Sequence, residues 1–217
     1  MYFLFTFVSE RSLFYELMKI SDTNTFTERQ IEIMQAATQR IDKHGIQDLT
    51  IKNLAADLEL SEAALYRHFK SKNDILTGLL NYFILEMEVR LSAIISQVEV
   101  KAEDLLKEVF DSQLRSFVKN PAIVSVIFSE GIFQFNKDLN TRVMEMMKLM
   151  QLNIQSVISK GIDAGQIREI ADPSTITTII MGSMRMTVLK WKLSGHKSNL
   201  IQDGTTVLSG IMNMIRK

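Results

Sequence analysis

Residues 49–72 read LTIKNLAADLELSEAALYRHFKSK, and this stretch decides the fold. Its apolar residues recur at steps of three and four, which predicts two short helices over residues 51–58 and 62–69. Thr50 and Ser61 precede these helices with the hydroxyl side chains that helix N-termini favour. Two short helices joined by a tight turn predict a helix-turn-helix, the motif that places its second helix in the major groove of DNA.

The second predicted helix has one narrow face and one anchoring face. Ala63 and Ala64 are small enough to let it approach a groove closely, whereas Leu65 and Phe69 are expected to face the core. Residues 63–72 include lysine, arginine and histidine but no acid, although the formal net charge of the chain is +0. The sequence therefore predicts a local basic patch that the overall charge conceals.

Each candidate contact residue has a physical task in DNA binding. Helix N-termini favour phosphate oxygens, which assigns that task to Thr50 and Ser61. Lys52 and Arg67 are long enough to reach guanine O6 and N7, and Ala63 is placed to meet a thymine methyl group. The side chains expected to fix the register on the phosphate backbone are Tyr66, His68 and Lys72.

Residues 27–76 resemble the DNA-binding domain of TetR-family transcriptional regulators. The phrases LTIKNLAADLELSEAALYRHFKSKNDIL and AATQRIDKHGIQDLT carry the resemblance, and LYRHFKSK is its most specific part. The resemblance implies a homodimer and a C-terminal domain that binds a small ligand. By position it assigns DNA-contact roles to Thr50, Lys52, Glu62, Ala63, Ala64, Tyr66, His68 and Lys72.

Two positions depart from the family pattern. Glu59 stands in the turn where the family often has glycine, and a non-glycine residue in a left-handed turn costs about 1 kcal/mol. Glu62 places a carboxylate at the start of the second helix, where it stabilises the helix dipole but repels phosphate. We expect Glu62 either to accept from cytosine N4 or to hold Lys52 or Arg67 in place.

The rest of the chain predicts further helices and an all-α fold. Only 2 prolines and 9 glycines interrupt 217 residues. With the resemblance, the periodicity indicates about nine helices: an N-terminal three-helix DNA-binding domain with the helix-turn-helix, and a C-terminal helical ligand-binding and dimerisation domain. The domains are expected over residues 1–24 (an extension), 25–72 and 73–217. The further helices are expected over about 27–44, 72–95, 102–118, 138–163, 173–193 and 198–215, with another that begins at Pro121.

The extension over residues 1–24 precedes the first strong helical pattern. Residues 1–8 are nearly all apolar, but they lack the positive n-region and the cleavage site of a signal peptide. Two interpretations remain open, a flexible or loosely docked extension and a translation start at Met18. We expect a chain that starts at Met18 to fold and to bind DNA as the full chain does.

The sequence contains no pattern typical of an enzyme. His44, His68 and His196 are not spaced as metal ligands, and no phosphate loop, dinucleotide fingerprint or nucleophile elbow is present. The chain has 0 cysteines, which excludes disulfides and fits a reducing compartment. We therefore expect a cytoplasmic protein without enzymatic activity, metal, cofactor or membrane partner.

The C-terminal half is rich in methionine and phenylalanine, which predicts an adaptable pocket for a small hydrophobic effector. The alternative is a methionine-rich core without a cavity. Arg185 lies in an apolar helix, where we expect it to pair with Glu130 or Asp111, to face solvent or to anchor an anionic ligand. The candidate pocket residues are Phe83, Met87, Phe110, Phe117, Met147, Met150 and Arg185.

The last two predicted helices each carry an apolar stripe. Gly182, Gly204 and Gly210 would allow another helix to approach closely. Two such helices from each of two chains would form a four-helix bundle, and the alternative is that the stripes pack within one chain. The candidate interface residues are Ile176, Ile180, Ser183, Trp191, Val207, Leu208, Ile211 and Met212.

These features predict a homodimeric repressor that reads a palindromic operator in double-stranded DNA. A small hydrophobic effector is expected to release it by moving the connector, residues 72–95, and so changing the spacing of about 34 Å between the two reading helices. The alternative is a DNA-binding adaptor of nucleoid-occlusion type that acts on cell-division proteins, because the phrase SEAALYRHF is similar to theirs too.

Overall fold

The structure is a computed structural model, and it describes residues 26–97, 99–129 and 136–217. Every predicted helix is present in these residues, which confirms the all-α class. None of the described helices is both long and apolar enough to cross a membrane. The predicted extension over residues 1–24 lies outside the described residues. In chain order the helices are α1 (Glu28–His44), α2 (Ile51–Asp57), α3 (Glu62–Tyr66), α4 (Lys72–Ile95), α5 (Ala102–Lys119), α6 (Pro121–Ile127), α7 (Lys137–Asp163), α8 (Pro173–Leu193) and α9 (Leu200–Ile215).

The chain forms two compact units, an N-terminal unit up to Glu86 and a C-terminal unit from Met87. The division falls inside α4, whereas the sequence placed the domain boundary after residue 72. The first turns of α4 pack on α1: a Cβ added at Gly78 would lie 2.8 Å from Met34 Sδ. This close packing makes the start of α4 part of the N-terminal unit.

The N-terminal unit is built around the apolar face of α1. Helix α1 packs on α2, and α2 packs on α3. Leu54 of α2 and Leu65 of α3 are fully buried, and burial of a leucine side chain stabilises the fold by about 1.5–3 kcal/mol. The buried residues of α1 follow the helical period: Ile31, Ile33, Met34, Ala37 and Ile41.

The turn between α2 and α3 is a Schellman motif. Leu60 N donates to Ala55 O at 2.8 Å, and Glu59 N donates to Ala56 O at 3.2 Å. Glu59 has a φ of 54°, so the left-handed conformation predicted at this residue is confirmed. The two hydrogen bonds satisfy carbonyls at the end of α2 and direct the chain into α3.

The C-terminal unit is centred on α5, which packs on α6, α7 and α9, while α8 packs on α6, α7 and α9. Helix α9 approaches α5 closely at Gly204, where an added Cβ would overlap the Leu114 side chain and lie 3.2 Å from Phe110 Cε1. A Cβ added at Gly182 or Gly210 would meet none of the described residues within 4 Å. Gly204 therefore serves packing inside the chain, not the approach of a second chain that the sequence suggested for all three glycines.

Most of the predicted interface residues lie in the core of their own chain. This corrects the choice made from the sequence, because a side chain buried in its own chain has little area left to bury against a second copy. Ser183 is half-buried, and Val207 is exposed. The buried ones are Ile176, Ile180, Trp191, Leu208, Ile211 and Met212.

Candidate functional site

The helices of the helix-turn-helix begin at residues whose side chains cap them. Thr50 Oγ1 accepts a hydrogen bond from Asn53 N at 3.1 Å, and Ser61 Oγ accepts one from Ala64 N at 3.1 Å. Helix α3 ends at Tyr66, earlier than the predicted residue 69. The two caps set the directions in which α2 and α3 leave the preceding chain.

Helix α3 and the residues that directly follow it have a buried face and a solvent face. Leu65 and Phe69 are buried, as predicted, while Ala64 and His68 are half-buried. Tyr66 is 49% exposed, although an aromatic side chain would usually be covered. The candidate DNA-contact residues that are exposed are Thr50, Lys52, Ser61, Glu62, Ala63, Tyr66 and Arg67.

Lys72 already has a partner within the protein. Its Nζ donates a hydrogen bond to Ile46 O at 2.7 Å, and burial lowers the pKa of the Lys72 ammonium. An ammonium has three donors, so contact with a phosphate would use the ones that remain. Lys72 therefore ties the start of α4 to the loop after α1, in addition to its predicted backbone contact.

Ion pairs on Arg40 hold α2 against α1. Arg40 Nε and Nη2 lie 2.5 and 2.9 Å from the two carboxylate oxygens of Asp57, and Arg40 Nη1 also bonds to Asp48. The hydrogen bond from Arg40 lowers the pKa of the Asp57 carboxyl. Sequence reasoning missed this network, because no local spacing links an arginine of α1 to the end of α2.

A hydrogen bond between the first turn of α1 and the turn after α3 completes the support of the helix-turn-helix. Gln30 Nε2 donates to His68 O at 3.2 Å. The capping box of α1 holds Gln30 in turn, because Thr27 N donates to Gln30 Oε1 at 2.9 Å. Hydrogen bonds of Arg40, Lys72 and Gln30 thus hold the helix-turn-helix in place against α1 and the start of α4.

An apolar cavity of about 320 Å³ lies in the C-terminal unit, lined by residues of α4 to α8 and by Phe128 after α6. Ligand pockets measure about 300–1,000 Å³, so this cavity has the size of a small one. Phe83 lies elsewhere, buried in the N-terminal unit, and Phe110 faces Gly204. The predicted pocket residues that line the cavity are Met87, Phe117, Met147, Met150 and Arg185.

The cavity wall also contains polar groups that the sequence did not single out. Gln113 lines it and is only 2% exposed, whereas Gln151 and Thr178 line it and are exposed. Gln113 lies one turn from Val109 and Phe117 on the buried face of α5. The sequence did carry a signal for Gln113, because it is a polar residue within the apolar stripe of α5.

Two cations lie over one aromatic wall of the cavity. The guanidinium carbon of Arg185 is 4.7 Å from the centre of the Phe128 ring, and Lys192 Nζ is 5.8 Å from it. Burial lowers the pKa of the Lys192 ammonium. Of the acids expected to pair with Arg185, Asp111 binds Arg115 at 2.7 Å, and Glu130 lies outside the described residues.

Helices α8 and α9 also carry a second, exposed apolar face. It is offset from the buried stripe that the sequence indicated. Gly182 and Gly210 lie on exposed positions of these helices, and Gly182 lines the cavity as well. The large apolar side chains exposed on α8 and α9 are Ile179, Met186, Leu193, Val207 and Met214.

Two protein families match the chain, over ranges that overlap at residues 67–79. The family described as "Bacterial regulatory proteins, tetR family" matches residues 33–79. The family described as "YsiA-like protein, C-terminal region" matches residues 67–213. The matched ranges include the helix-turn-helix and every helix from α5 to α8.

Individual relatives cover most of the chain at low identity. The chain is 24% identical over 187 residues to the fatty acid metabolism regulator protein of Bacillus subtilis (strain 168), across 84% of this chain and 95% of that protein. It is 25% identical over 179 residues to the nucleoid occlusion factor SlmA of Photobacterium profundum, across 80% and 89%. The fold is similar to that of the transcriptional regulator FadR from Bacillus subtilis in complex with stearoyl-CoA, with a TM-score of 0.72 at 21% identity, across 84% and 97%.

Proposed function

Since the chain belongs to the TetR family of DNA-binding transcriptional regulators, we propose that it is a homodimeric repressor released from its operator by a long-chain acyl thioester. The observation that carries the proposal is the apolar cavity of about 320 Å³ in the C-terminal unit. Met87 of α4 forms part of its wall, and α4 starts at Lys72 in the helix-turn-helix unit. One helix therefore contributes residues both to the cavity and to the unit that reads DNA.

The DNA-reading role rests on the exposed residues of α2 and α3. Lys52 and Arg67 are the candidate base readers, because lysine and arginine bond to guanine O6 and N7. Tyr66, His68 and Lys72 supply contacts to the phosphate backbone, which set register and not sequence. Glu62 restricts the choice of bases, because its carboxylate accepts hydrogen bonds but repels phosphate.

The homodimer rests on the exposed apolar face of α8 and α9. Val207 is 37% exposed and Ile179 is 53% exposed, although both are side chains that favour burial. At Gly182 and Gly210 the described part of the chain leaves room on the same helices for a close helix approach. A second copy that packs there would bury this face in a four-helix bundle with two-fold symmetry.

The effector class follows from the lining of the cavity and from the relatives. Methionine and phenylalanine side chains suit an alkyl chain, because methionine adapts its shape to the ligand. The cations at Arg185 and Lys192 suit the anionic phosphates of a coenzyme A head group. A similar fold is known with stearoyl-CoA bound, and a relative is a regulator of fatty acid metabolism.

Release of DNA requires that the effector bind the released conformation better than the DNA-bound one. A coupling free energy of about 1–3 kcal/mol would weaken operator binding from several-fold to about a hundred-fold. The connector α4 is the element through which we infer that this coupling acts, because Met87 contacts the cavity directly.

The test is fluorescence anisotropy of the full chain on an operator duplex selected from random DNA. Stearoyl-CoA should weaken operator binding, and free coenzyme A should not. Met181→Trp should fill the cavity and abolish the response while leaving DNA binding intact, because Met181 lines the cavity. Met144→Trp is the matched control, since Met144 is 59% exposed on α7. An operator affinity that no acyl-CoA changes would contradict the effector assignment.

A second candidate function is favoured by the similarity to the nucleoid occlusion factor. In that case the chain would occupy many chromosomal sites and act on cell-division proteins. Chromatin immunoprecipitation separates the two functions, because a repressor occupies a few promoter sites and an adaptor occupies many dispersed sites. Occupancy that does not respond to fatty acids in the medium would favour the adaptor.

A further inference from the structure

The cavity contains one glutamine whose surroundings set it apart from the rest of the wall. Gln113 is 2% exposed and lies among lining residues that are mostly methionine, phenylalanine and aliphatic side chains. A buried amide in such surroundings is stable only when its polar atoms have partners. The partner of its oxygen is Arg90, whose Nη2 lies 2.9 Å from Gln113 Oε1.

Arg90 fixes which end of the amide faces it. A guanidinium has donors only, so the atom that meets Arg90 must be the carbonyl oxygen and not the NH2 group of Gln113. Arg90 is itself held by a second hydrogen bond, because Nη1 donates to Ser112 Oγ at 2.9 Å. Ser112 Oγ in turn donates to Val109 O at 2.9 Å, which leaves its lone pairs directed to Arg90.

This arrangement leaves the NH2 group of Gln113 as the donor that the amide can offer to a ligand in the cavity. Rotation that would exchange oxygen and nitrogen is opposed, because it would set two donors against each other. An alkyl chain without polar atoms cannot accept from this group. A ligand that carries a carbonyl oxygen next to its alkyl chain can do so.

We propose that Gln113 donates to the thioester carbonyl oxygen of the bound acyl-CoA, and that Arg90 is the positioning residue that orients it for this contact. The inference rests on the proposed effector class and adds how the protein recognises it: by the acyl carbonyl and not by the chain alone. Because Arg90 belongs to α4, the side chain that orients the ligand contact lies on the connector itself.

Gln113→Glu is the variant that separates the two ends of the amide. The carboxylate keeps an oxygen for Arg90 and replaces the NH2 donor by a second oxygen, at almost unchanged volume. Gln151→Glu is the matched control, because this substitution changes the charge in the same way. Gln151 lines the same cavity but is exposed. Gln113→Met is a second variant, which removes both ends of the amide without adding a charge.

The experiment is isothermal titration of the full chain with two probes, stearoyl-CoA and its thioether analogue S-octadecyl-CoA, which lacks only the carbonyl oxygen. Wild type should bind stearoyl-CoA about tenfold or more tightly than the thioether. This ratio should fall to near one in Gln113→Glu and Gln113→Met, and should persist in Gln151→Glu. The ratio is independent of general destabilisation, because a partly unfolded protein binds both probes less.

A ratio near one in wild type, or a ratio that Gln113→Glu leaves unchanged, would overturn the role of Gln113 while the proposed effector class stands. Binding of neither probe to wild type would overturn both. For Arg90, the Arg90→Met variant should likewise bring the probe ratio close to one, and adding Gln113→Met should then change it no further, because the two residues act on one contact. Independent, additive losses would overturn the positioning role of Arg90.

Discussion

Lys72 and Lys52 are both candidate DNA contacts, but the fold uses them differently. Lys72 donates to Ile46 O at 2.7 Å and is half-buried, whereas Lys52 is exposed on α2. When a buried backbone carbonyl loses its hydrogen-bond donor, the folded chain is destabilised by about 1–3 kcal/mol. Removal of Lys72 therefore affects folding and DNA binding together, and removal of Lys52 affects DNA binding alone.

We predict that Lys72→Ala lowers the melting temperature, weakens binding to all DNA sequences and reduces the salt dependence of binding by about one unit. Lys52→Ala should leave the melting temperature unchanged and cost about 1–3 kcal/mol at particular base pairs. Calorimetry and salt-dependent anisotropy on operator and random duplexes measure these effects. Equal losses on both duplexes for Lys52→Ala would contradict its role as a base reader.

The absence of a side chain at Gly204 allows α9 to pack closely against α5. An added Cβ would overlap Leu114 on α5 and would lie 3.2 Å from Phe110 Cε1, closer than an ordinary van der Waals contact. We predict that Gly204→Ala destabilises the chain by about 1–3 kcal/mol, despite the higher helix propensity of alanine. Denaturant unfolding measures the change.

The matched test introduces Gly204→Ala into a chain that already carries Leu114→Val. Valine lacks the Cδ1 methyl group of Leu114 with which the added Cβ would overlap. The cost of Gly204→Ala should be smaller in this second background, and a double-mutant cycle reports the difference. An equal cost in both backgrounds would show that the overlap with Leu114 is not the cause.

The start of α8 is held by hydrogen bonds to the side chain of Asp172. Asp172 Oδ1 accepts from Ser174 N and from Thr175 N, each at 3.0 Å, which caps the helix ahead of Pro173. Hydrogen bonds, first from the Ser174 hydroxyl and then from Thr175, lower the pKa of the Asp172 carboxyl to about 2. The ionised carboxylate is thus the form that the start of α8 requires.

We predict an acid-sensitive contribution of this cap to stability. The folded pKa of Asp172 lies below its ordinary value of 3.8, so the contribution is present above about pH 4 and is lost as the pH falls towards 2. Asp172→Asn keeps a capping oxygen but does not titrate, so it should reduce the loss of unfolding free energy over this range. Urea midpoints at several pH values measure it.

Asp203→Asn, the same change in the first turn of α9, is the control for the α8 cap. It should leave the pH dependence closer to that of wild type. If Asp172→Asn leaves the pH dependence of the unfolding free energy unchanged, ionisation of the cap makes no measurable contribution to stability.

At the scale of the whole molecule, the proposed dimer depends on the apolar side chains of α8 and α9 that are exposed in the described part of the chain. Ile179 is 53% exposed on α8 and Val207 is 37% exposed on α9. A charge placed at either position can be solvated in one chain but would be buried in a bundle of two, where an unpaired charge is strongly unfavourable. Substitutions at these exposed positions therefore test association without breaking the core.

We predict that Ile179→Glu with Val207→Glu yields folded monomers in light scattering, with an unchanged helical content. Ile211 would be a poor choice for such a test, because it is buried and its substitution would disrupt the chain itself. Met144→Glu with Leu152→Glu is the control, because these residues are 59% and 56% exposed on α7 and receive the same charge. Dimers that survive the first pair would contradict the assignment of α8 and α9.

The sequence alone was sufficient for the order and starting points of the helices and for the helix-turn-helix, although α3 ends at Tyr66 and not at the predicted residue 69. Helix boundaries depend on contacts between residues a few positions apart: the Thr50 and Ser61 hydroxyls bond to amides three residues on, at 3.1 Å each, and the Asp172 cap is equally local. The left-handed turn at Glu59 is likewise set by carbonyls of the helix just before it. Contacts of this kind can be recognised from the sequence, because both partners lie within a few residues of each other.

Only the tertiary structure decided which apolar face is covered and which polar groups meet. Periodicity shows that α8 has an apolar stripe, but Ile176 is buried and Ile179 is exposed because α7 and α9 cover one side only. Gln113 and Arg90 are 23 residues apart, on different helices, so no spacing in the chain announces their hydrogen bond. The physical reason is that helix formation depends on neighbours in sequence, whereas burial and side-chain pairing depend on neighbours in space.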